Sequence, residues 1–263
     1  MTHAAPSVLI TGATGGIGRE TARRFAQEGH RIVVADLAQA GVDAFAEELR
    51  GEFSGIDVLP LVVDQSDEDS LRSAAETVRT WSGGELNALA LVAGTVQAEG
   101  VPVEELSVEE WDRVHSVNLR GVFLASKHFI PIIATGGSGS IIAIASYWGR
   151  EAHPFFASYC TSKAGVISFV QGLAGELADR GIRVNAVAPG NIDTNMHRKA
   201  LTEEAETRGI SFEEMRDIEW AKIPLKAAGP PRSIADAVYF LSTEHASYIT
   251  GATLDVNGGV VMT

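Results

Sequence analysis

The sequence predicts an α/β fold built around a parallel β-sheet, and three observations predict it. Short apolar runs recur along the chain at residues 7–11, 31–36, 58–63, 86–93, 140–145, 182–188 and 252–256. Each is apolar almost throughout rather than at alternate positions, as strands covered on both faces are. Between them lie stretches with apolar residues at helical spacing, on the order of 10–15 residues each, which is the rhythm of βαβ units.

The elements follow in order. Ser7-Val-Leu-Ile-Thr11 runs straight into Gly12-Ala-Thr-Gly-Gly-Ile-Gly18, after which Ile17, Thr21, Ala22, Phe25 and Ala26 keep helical spacing up to Gly29. A glycine fingerprint between strand and helix has physical content. Gly12 permits the tight turn, Gly16 lets backbone approach a pyrophosphate, and Gly18 lets the helix pack close to the strand, while the first helical N–H groups face the phosphates. The second strand ends at Asp36, 24 residues after Gly12. That is near the offset of about 20 at which a carboxylate meets adenosine ribose hydroxyls. Its charge would repel a 2′-phosphate, and neither Leu37-Ala38 nor Gly15 supplies a base to attract one. A plain helix N-cap is the other reading of Asp36.

A helix over residues 44–49, a third strand ending at Asp64, and a helix marked by Leu71, Ala74, Ala75, Val78 and Trp81 come next, then a fourth strand ending at Gly94. From Ser107, a cap ahead of Glu109 and Glu110, helix runs towards Ile133 with Asn118 in its middle. Asparagine is a mediocre helix former, so Asn118 either bends the helix and binds water or a carbonyl, or is simply tolerated. Pro154 opens a helix that continues to about Arg180, where Gly181 stops it, and the strand after it ends in Pro189-Gly190-Asn-Ile-Asp-Thr194. Residues 195–222 are crowded with charge and fit two short helices with Gly209 between them. They read as a solvated face or as a mobile lid. A turn-rich connection leads to the last helix, marked by Ile234, Val238, Phe240 and Leu241, and to the last strand before Asn257-Gly-Gly259. With no repeat or linker, residues 1–263 read as a single domain, with a variable region at about 191–225.

Bulk properties narrow the function. A chain of 263 residues, 45% hydrophobic and 21% charged, is ordinary for a soluble protein with a full core. The net charge of −13 argues against non-specific binding to nucleic acid or anionic membranes. No apolar run approaches the roughly 20 residues of a membrane span, and no signal peptide opens the chain, so a cytoplasmic location is expected. Cys160 is the only cysteine, which excludes an intrachain disulfide, and the seven histidines show no close-spaced pair. No metal is expected.

The chemistry concentrates between Ser146 and Lys163. Tyr159 and Lys163 are four residues apart on one helix face, and Ser146 lies thirteen residues before Tyr159 at a strand end. A phenol of pKa near 10 is a poor base at neutral pH, but an ammonium about 4 Å away, at an effective dielectric near 20, lowers it by up to about three units. Tyr159 would then suit general acid/base work, with Ser146 holding the oxygen whose proton moves. The bland alternative is a helix-face pair beside a strand-ending serine.

Together these motifs resemble the short-chain dehydrogenases/reductases, from about Val8 to Gly259. Thr11-Gly12-xxx-Gly16-x-Gly18 is similar to the family's cofactor turn and Tyr159-xxx-Lys163 to its active-site pair. Ser146 is similar to its serine, and Asn118, in Val117-Asn-Leu-Arg-Gly121, to its fourth catalytic residue. Residues 182–190 and Thr194 resemble the segment that closes over nicotinamide. The resemblance implies a single Rossmann-type, doubly wound α/β domain with a seven-stranded parallel sheet and helices on both faces. It implies hydride transfer between nicotinamide C4 and a carbinol or carbonyl carbon. Tyr159 is then the acid/base, Ser146 orients the substrate oxygen, Lys163 lowers the tyrosine pKa and holds the nicotinamide ribose, and Asn118 supports a proton-relay water. NAD is expected against Gly12, Thr14, Gly15, Gly16, Ile17, Gly18, Asp36, Leu37, Asp64, Gln65, Ala93, Gly94, Tyr159, Lys163, Pro189, Gly190, Ile192 and Thr194. A homotetramer is also implied. Two departures stand out: Leu91-Val92-Ala93-Gly94 replaces the family's Asn-Asn-Ala-Gly, and Asn257-Gly-Gly its more usual Asp-Gly-Gly.

The layout after Thr194 is similar to the family's polyol and sugar dehydrogenases, so a small secondary alcohol or its ketone is the expected substrate. Gln97, Arg150, Glu151, His153 and Asn191 are candidate hydrogen-bonding groups for a hydroxylated substrate, and Trp148, Phe155 and Phe156 candidate walls of an apolar pocket. The alternatives are a 3-oxoacyl thioester reductase and, in another class, a catalytically idle NAD-binding scaffold. The intact Asn118-Ser146-Tyr159-Lys163 set speaks against the scaffold.

Overall fold

The seven apolar runs join into one parallel sheet. In a computed structural model, which describes residues 5–262, they are β1 (Ser7–Thr11), β2 (Arg31–Asp36), β3 (Val58–Val62), β4 (Ala88–Leu91), β5 (Ser140–Ile144), β6 (Arg183–Pro189) and β7 (Thr253–Val256). Their order is β3-β2-β1-β4-β5-β6-β7, with every neighbouring pair parallel. The helices are α1 (Gly16–Gln27), α2 (Gln39–Glu52), α3 (Glu68–Ser82), α4 (Val108–His115), α5 (Gly121–Phe129), α6 (Ala157–Leu177), α7 (Asn195–Arg208), α8 (Phe212–Lys222) and α9 (Pro231–Ser242).

Successive strand side chains point to opposite faces, so each strand feeds two cores. Val8, Ile10, Ile32 and Val34 pack with Phe25, Phe45, Leu49 and Val238 of α1, α2 and α9. Leu9, Val33, Ala35 and Ile141 pack with Val78, Phe129 and Val170 of α3, α5 and α6. This two-sided burial is the reason for the unbroken apolar runs. Phe25 and Phe129 are fully buried, and each such side chain contributes roughly 1.5–3 kcal/mol.

Three boundaries differ from the sequence reading. The fourth strand is shorter than residues 86–93: Leu86 forms only an isolated bridge to Ile133, and the N–H groups of Val92 and Ala93 donate to Thr11 Oγ1 instead of the ladder. The helix expected over 44–49 is longer, and α6 begins at Ala157 rather than Pro154. Phe155 holds a positive φ of 69°, which no helix accommodates. Asn118 lies within a single π-helical turn, Ser116–Arg120, between α4 and α5.

Residues 195–222 form α7 and α8, joined at Gly209 with a φ of 66°. Leu201, Ala205 and Met215 bury against one another, with Ile210 and Phe212 packed on them, in a small core separate from the two large ones. A helix pair with its own core can move as a unit. Hydrogen exchange is therefore expected to be faster in residues 195–222 than in α6 without ligand and to slow when NADH binds. Protection equal to that of α6 without ligand rules out a lid. Among the described residues no helix is long and apolar enough to cross a membrane.

Candidate active site

β1 is flanked by β2 on one side and β4 on the other, so the chain leaves it in opposite directions and a crevice opens at the strand ends. A cleft of about 790 Å³ lies there, lined by Gly12, Thr14, Gly15, Gly16, Ile17, Gly18, Asp36, Leu37, Asp64, Gln65, Ala93, Gly94 and Thr194. Gly12 has a φ of +65°, and a Cβ on it would stand 2.7 Å from Ala93 Cα; one on Gly18 would stand 2.1 Å from Gly12 O. Turn and close approach are thus both enforced. Gly16 lies beside Thr194, where a Cβ would come 2.9 Å from Thr194 Cγ2.

α1 starts without a side-chain cap, whereas α4, α7 and α8 are capped by Ser107, Thr194 and Ser211. The uncapped first turn lines the cleft, which is how a helix N-terminus receives a phosphate. At the far end Asp36 Oδ2 accepts from Thr14 N (2.9 Å) and Thr14 Oγ1 (2.6 Å), and Oδ1 accepts from Leu37 N (2.8 Å). A carboxylate has about four acceptor positions, so one remains on Oδ1. Asp64 Oδ1 accepts from Ser66 N and Oγ. Gln65 Nε2 donates to Val117 O at 3.1 Å, while its buried Oε1 has no partner. Glycine turn, uncapped helix, ribose-seeking carboxylate and an unpaired amide oxygen together fit a dinucleotide.

A second cavity of about 280 Å³ abuts the first, sharing Ile17, Val92, Gly94, Thr95, Thr194 and Met196 with it. It brings together Ser146, Tyr159 and Lys163, with Pro189, Gly190 and Ile192 on its wall. Ser146 lies just beyond β5, where its Oγ accepts from Trp148 N at 3.2 Å, and it shares the cavity with the Tyr159 hydroxyl, whose pKa it pulls down. The Trp148 indole meets the Tyr159 ring edge-on at 5.8 Å and stacks on His153 at 4.5 Å. Lys163, buried, donates from Nζ to Ile144 O at 2.8 Å.

Asn118 lies below this cavity rather than in it. Its Oδ1 accepts from Thr95 N (2.8 Å), and its Nδ2 donates to Thr95 O (2.8 Å) and Ser162 Oγ (3.1 Å). Both amide protons are used, and Oδ1 keeps one acceptor position. A Cβ on Gly94 would come 3.3 Å from both Asn118 Oδ1 and Lys163 Nζ, so the bare glycine keeps these two groups close to the cleft.

A family model described as enoyl-(acyl carrier protein) reductase matches residues 12–261. The curated 3-oxoacyl-[acyl-carrier-protein] reductase of Thermotoga maritima is 37% identical over 255 residues, 97% of each chain. The chain belongs to the short-chain dehydrogenase/reductase family. It is also 34% identical to a 2,5-dichloro-2,5-cyclohexadiene-1,4-diol dehydrogenase of Sphingobium indicum, over 95% of this chain and 94% of that one. Among solved structures, an actinorhodin polyketide ketoreductase with NADPH superposes with a TM-score of 0.88 at 32% identity over 97% of each chain. As a short-chain dehydrogenase/reductase, the protein is an oxidoreductase of CH–OH and keto groups that uses a nicotinamide cofactor.

Within this short-chain dehydrogenase/reductase the electrostatics of the pair differ from the sequence reading. Burial is the largest influence on the Tyr159 phenol and raises its pKa, with the Ser146 hydrogen bond opposing. Lys163 does not bring it down: its ammonium is turned to Ile144 O, and its own pKa is lowered by burial to about 8. Desolvation dominates both shifts because both groups are enclosed.

Several candidate substrate contacts are used elsewhere in the fold. Arg150 pairs with Asp255 and donates to Thr253 O; Gln97 is buried and donates to Glu99 O and Phe155 O. Neither these nor Glu151, His153, Phe155 and Phe156 line the cavity, whereas Asn191 and Trp148 do. The Asn-Asn departure is structural: Leu91 is a buried strand residue, and Thr11 takes over the backbone of the turn after it. Arg113 carries no motif but lines the cofactor cleft, donating to Thr95 Oγ1 (2.7 Å) and Val96 O (2.8 Å). It pairs with Glu110, whose carboxyl it holds down at about 2. Tyr147 and His197 also line the cavity. Neither carries a signal in the sequence.

Proposed function

We propose that the protein is an NAD-dependent dehydrogenase of a small secondary alcohol, such as a polyol or sugar, acting also on the corresponding ketone. The observation that carries this reading is the cavity beside Ser146 and Tyr159. Its volume of about 280 Å³ falls just below the range of roughly 300–1,000 Å³ usual for ligand pockets. Part of its wall also serves the dinucleotide cleft, which leaves room for a small molecule only. Asp36, with no base beside it in sequence, supports NAD over NADP. In the same reading the chain is one cytoplasmic catalytic domain that assembles as a homotetramer. Trp111 and Phe123, 37% and 46% exposed on α4 and α5, are apolar surface for such contacts, and residues 191–225 select the substrate.

The dinucleotide is held by the glycine turn, Asp36, Gly94 and Thr194, and when bound its nicotinamide gives or takes a hydride at C4. Ser146 holds the substrate oxygen, and Tyr159 exchanges that oxygen's proton. Lys163 spends one of its three N–H donors on Ile144 O and keeps two for ribose hydroxyls. Asn118 Oδ1 offers its remaining acceptor position to a relay water.

A raised Tyr159 pKa means that the phenol keeps its proton at neutral pH. Reduction needs the phenol and oxidation the phenolate. The rate constant kcat/KM for alcohol oxidation is therefore expected to rise about tenfold per unit from about pH 6 to about pH 7.5, below the pH near 8 where Lys163 loses its charge, while ketone reduction stays level. An oxidation profile that is flat over this range would show that the phenol has been lowered after all. The identity to the Thermotoga maritima enzyme favours 3-oxoacyl thioester reduction as a second reading. A panel of polyols, sugars and secondary alcohols with NAD+, run beside acetoacetyl thioester with NADPH and followed by nicotinamide absorbance, separates the two. Turnover of the thioester alone defeats the small-alcohol reading.

A further inference from the structure

The cavity carries polar side chains that proton exchange at Tyr159 does not use. Tyr147, Asn191 and His197 line it, and none of them lines the dinucleotide cleft. His197 lies in the first turn of α7, where its backbone N–H donates to Thr194 Oγ1 at 3.3 Å and ties it to the corner after β6. Its Nε2 is buried with no hydrogen-bond partner. Tyr147 Oη stands 3.5 Å from Asn191 Oδ1, the outer limit of a hydrogen bond. Three polar residues on three separate segments thus line one small cavity with a single weak bond among their side chains.

Buried polar groups are nearly always paired, and an unpaired imidazole nitrogen beside the reacting centre is suited to a ligand atom. Burial favours the neutral ring against the pull of the Asp193 and Glu219 carboxylates, and neutral imidazole can donate from one nitrogen and accept at the other. Glu219, from α8, also pushes up the pKa of Tyr147, though burial is the larger cause. The wall nearby is apolar, with Trp148, Ile192 and Met196, which suits a carbon skeleton carrying few oxygens. Resting on the small-alcohol reading, we propose that His197 binds a second oxygen of the substrate, with Tyr147 and Asn191 beside it. It thereby selects small diols and hydroxyketones over molecules with one oxygen.

Steady-state kinetics with NAD+ on two matched pairs test this: trans-1,2-cyclohexanediol with cyclohexanol, and 2,3-butanediol with 2-butanol. In wild type the diol of a pair is expected to have the higher kcat/KM. In His197→Leu, and likewise in His197→Phe, the diol-to-alcohol ratio should fall about tenfold, through the KM of the diol. His197→Gln keeps a polar nitrogen and should recover part of the ratio. A fluorescence titration with NADH checks that each variant is folded. A ratio within about twofold of wild type in the variants that bind NADH overturns the assignment and leaves the small-alcohol reading standing. Wild-type turnover of none of the four probes overturns both.

Discussion

Tyr159→Phe is expected to lower kcat by about a hundred- to ten-thousandfold while NADH binds as before. The hydroxyl is the one group removed, and Tyr159 shares the cavity with Ser146. The ring keeps its edge contact with Trp148, so the helix and the cleft beside it hold their shape. Initial rates with the best alcohol of the panel, set beside a fluorescence titration with NADH, decide the matter. Activity within tenfold of wild type, against the loss of at least about a hundredfold, would remove Tyr159 from the chemistry. Joint loss of rate and NADH binding would make it a folding residue instead.

The second large effect concerns the cofactor. Wild type is expected to prefer NAD+ over NADP+ by at least about a hundredfold in kcat/KM. A phosphate at about 5 Å from Asp36, at an effective dielectric near 20, costs roughly 3 kcal/mol per unit charge before screening, and each 1.4 kcal/mol is about tenfold. Arg19 is the base best placed to cancel this, since it lines the same cleft. It is already engaged, however, paired with Glu48 and lying 4.2 Å over the Phe45 ring. Leu37 is 65% exposed, so Asp36→Ala with Leu37→Arg should reverse the preference. Asp36→Ala alone should also weaken NAD+ binding, because Thr14 loses both of its bonds to the carboxylate. Kinetics with both cofactors on one substrate give the ratio, and equal or better use of NADP+ by wild type refutes the assignment.

Determined by the sequence itself were the strands, the alternation with helices, the glycine turn, and the placing of Ser146 at a strand end and of Tyr159 and Lys163 on one helix face. Each depends on residues within about a turn of one another or on period-2 and period-3.6 patterns. The φ of +65° at Gly12 and the helix stop at Gly181 are constraints of single residues, legible without a fold. The poor helix propensity of Asn118 left open whether the helix is disturbed there; the π-helical turn over Ser116–Arg120 came from the fold.

Only the tertiary structure decided what those side chains touch. The partner of Asn118 is Thr95, 23 residues away, and Arg113 reaches the same residue across 18. The sequence order of those residues carries no sign of either contact. Charge proximity suggested a lowered Tyr159 pKa, but the sign depends on how much water the fold removes from the phenol and on where Lys163 Nζ points. His197 and Tyr147 lie fifty residues apart in the chain, and they share a cavity because β6 lies beside β5 in the sheet. Local conformation is written in neighbouring residues; solvation and long-range pairing arise only when the sheet brings distant segments together.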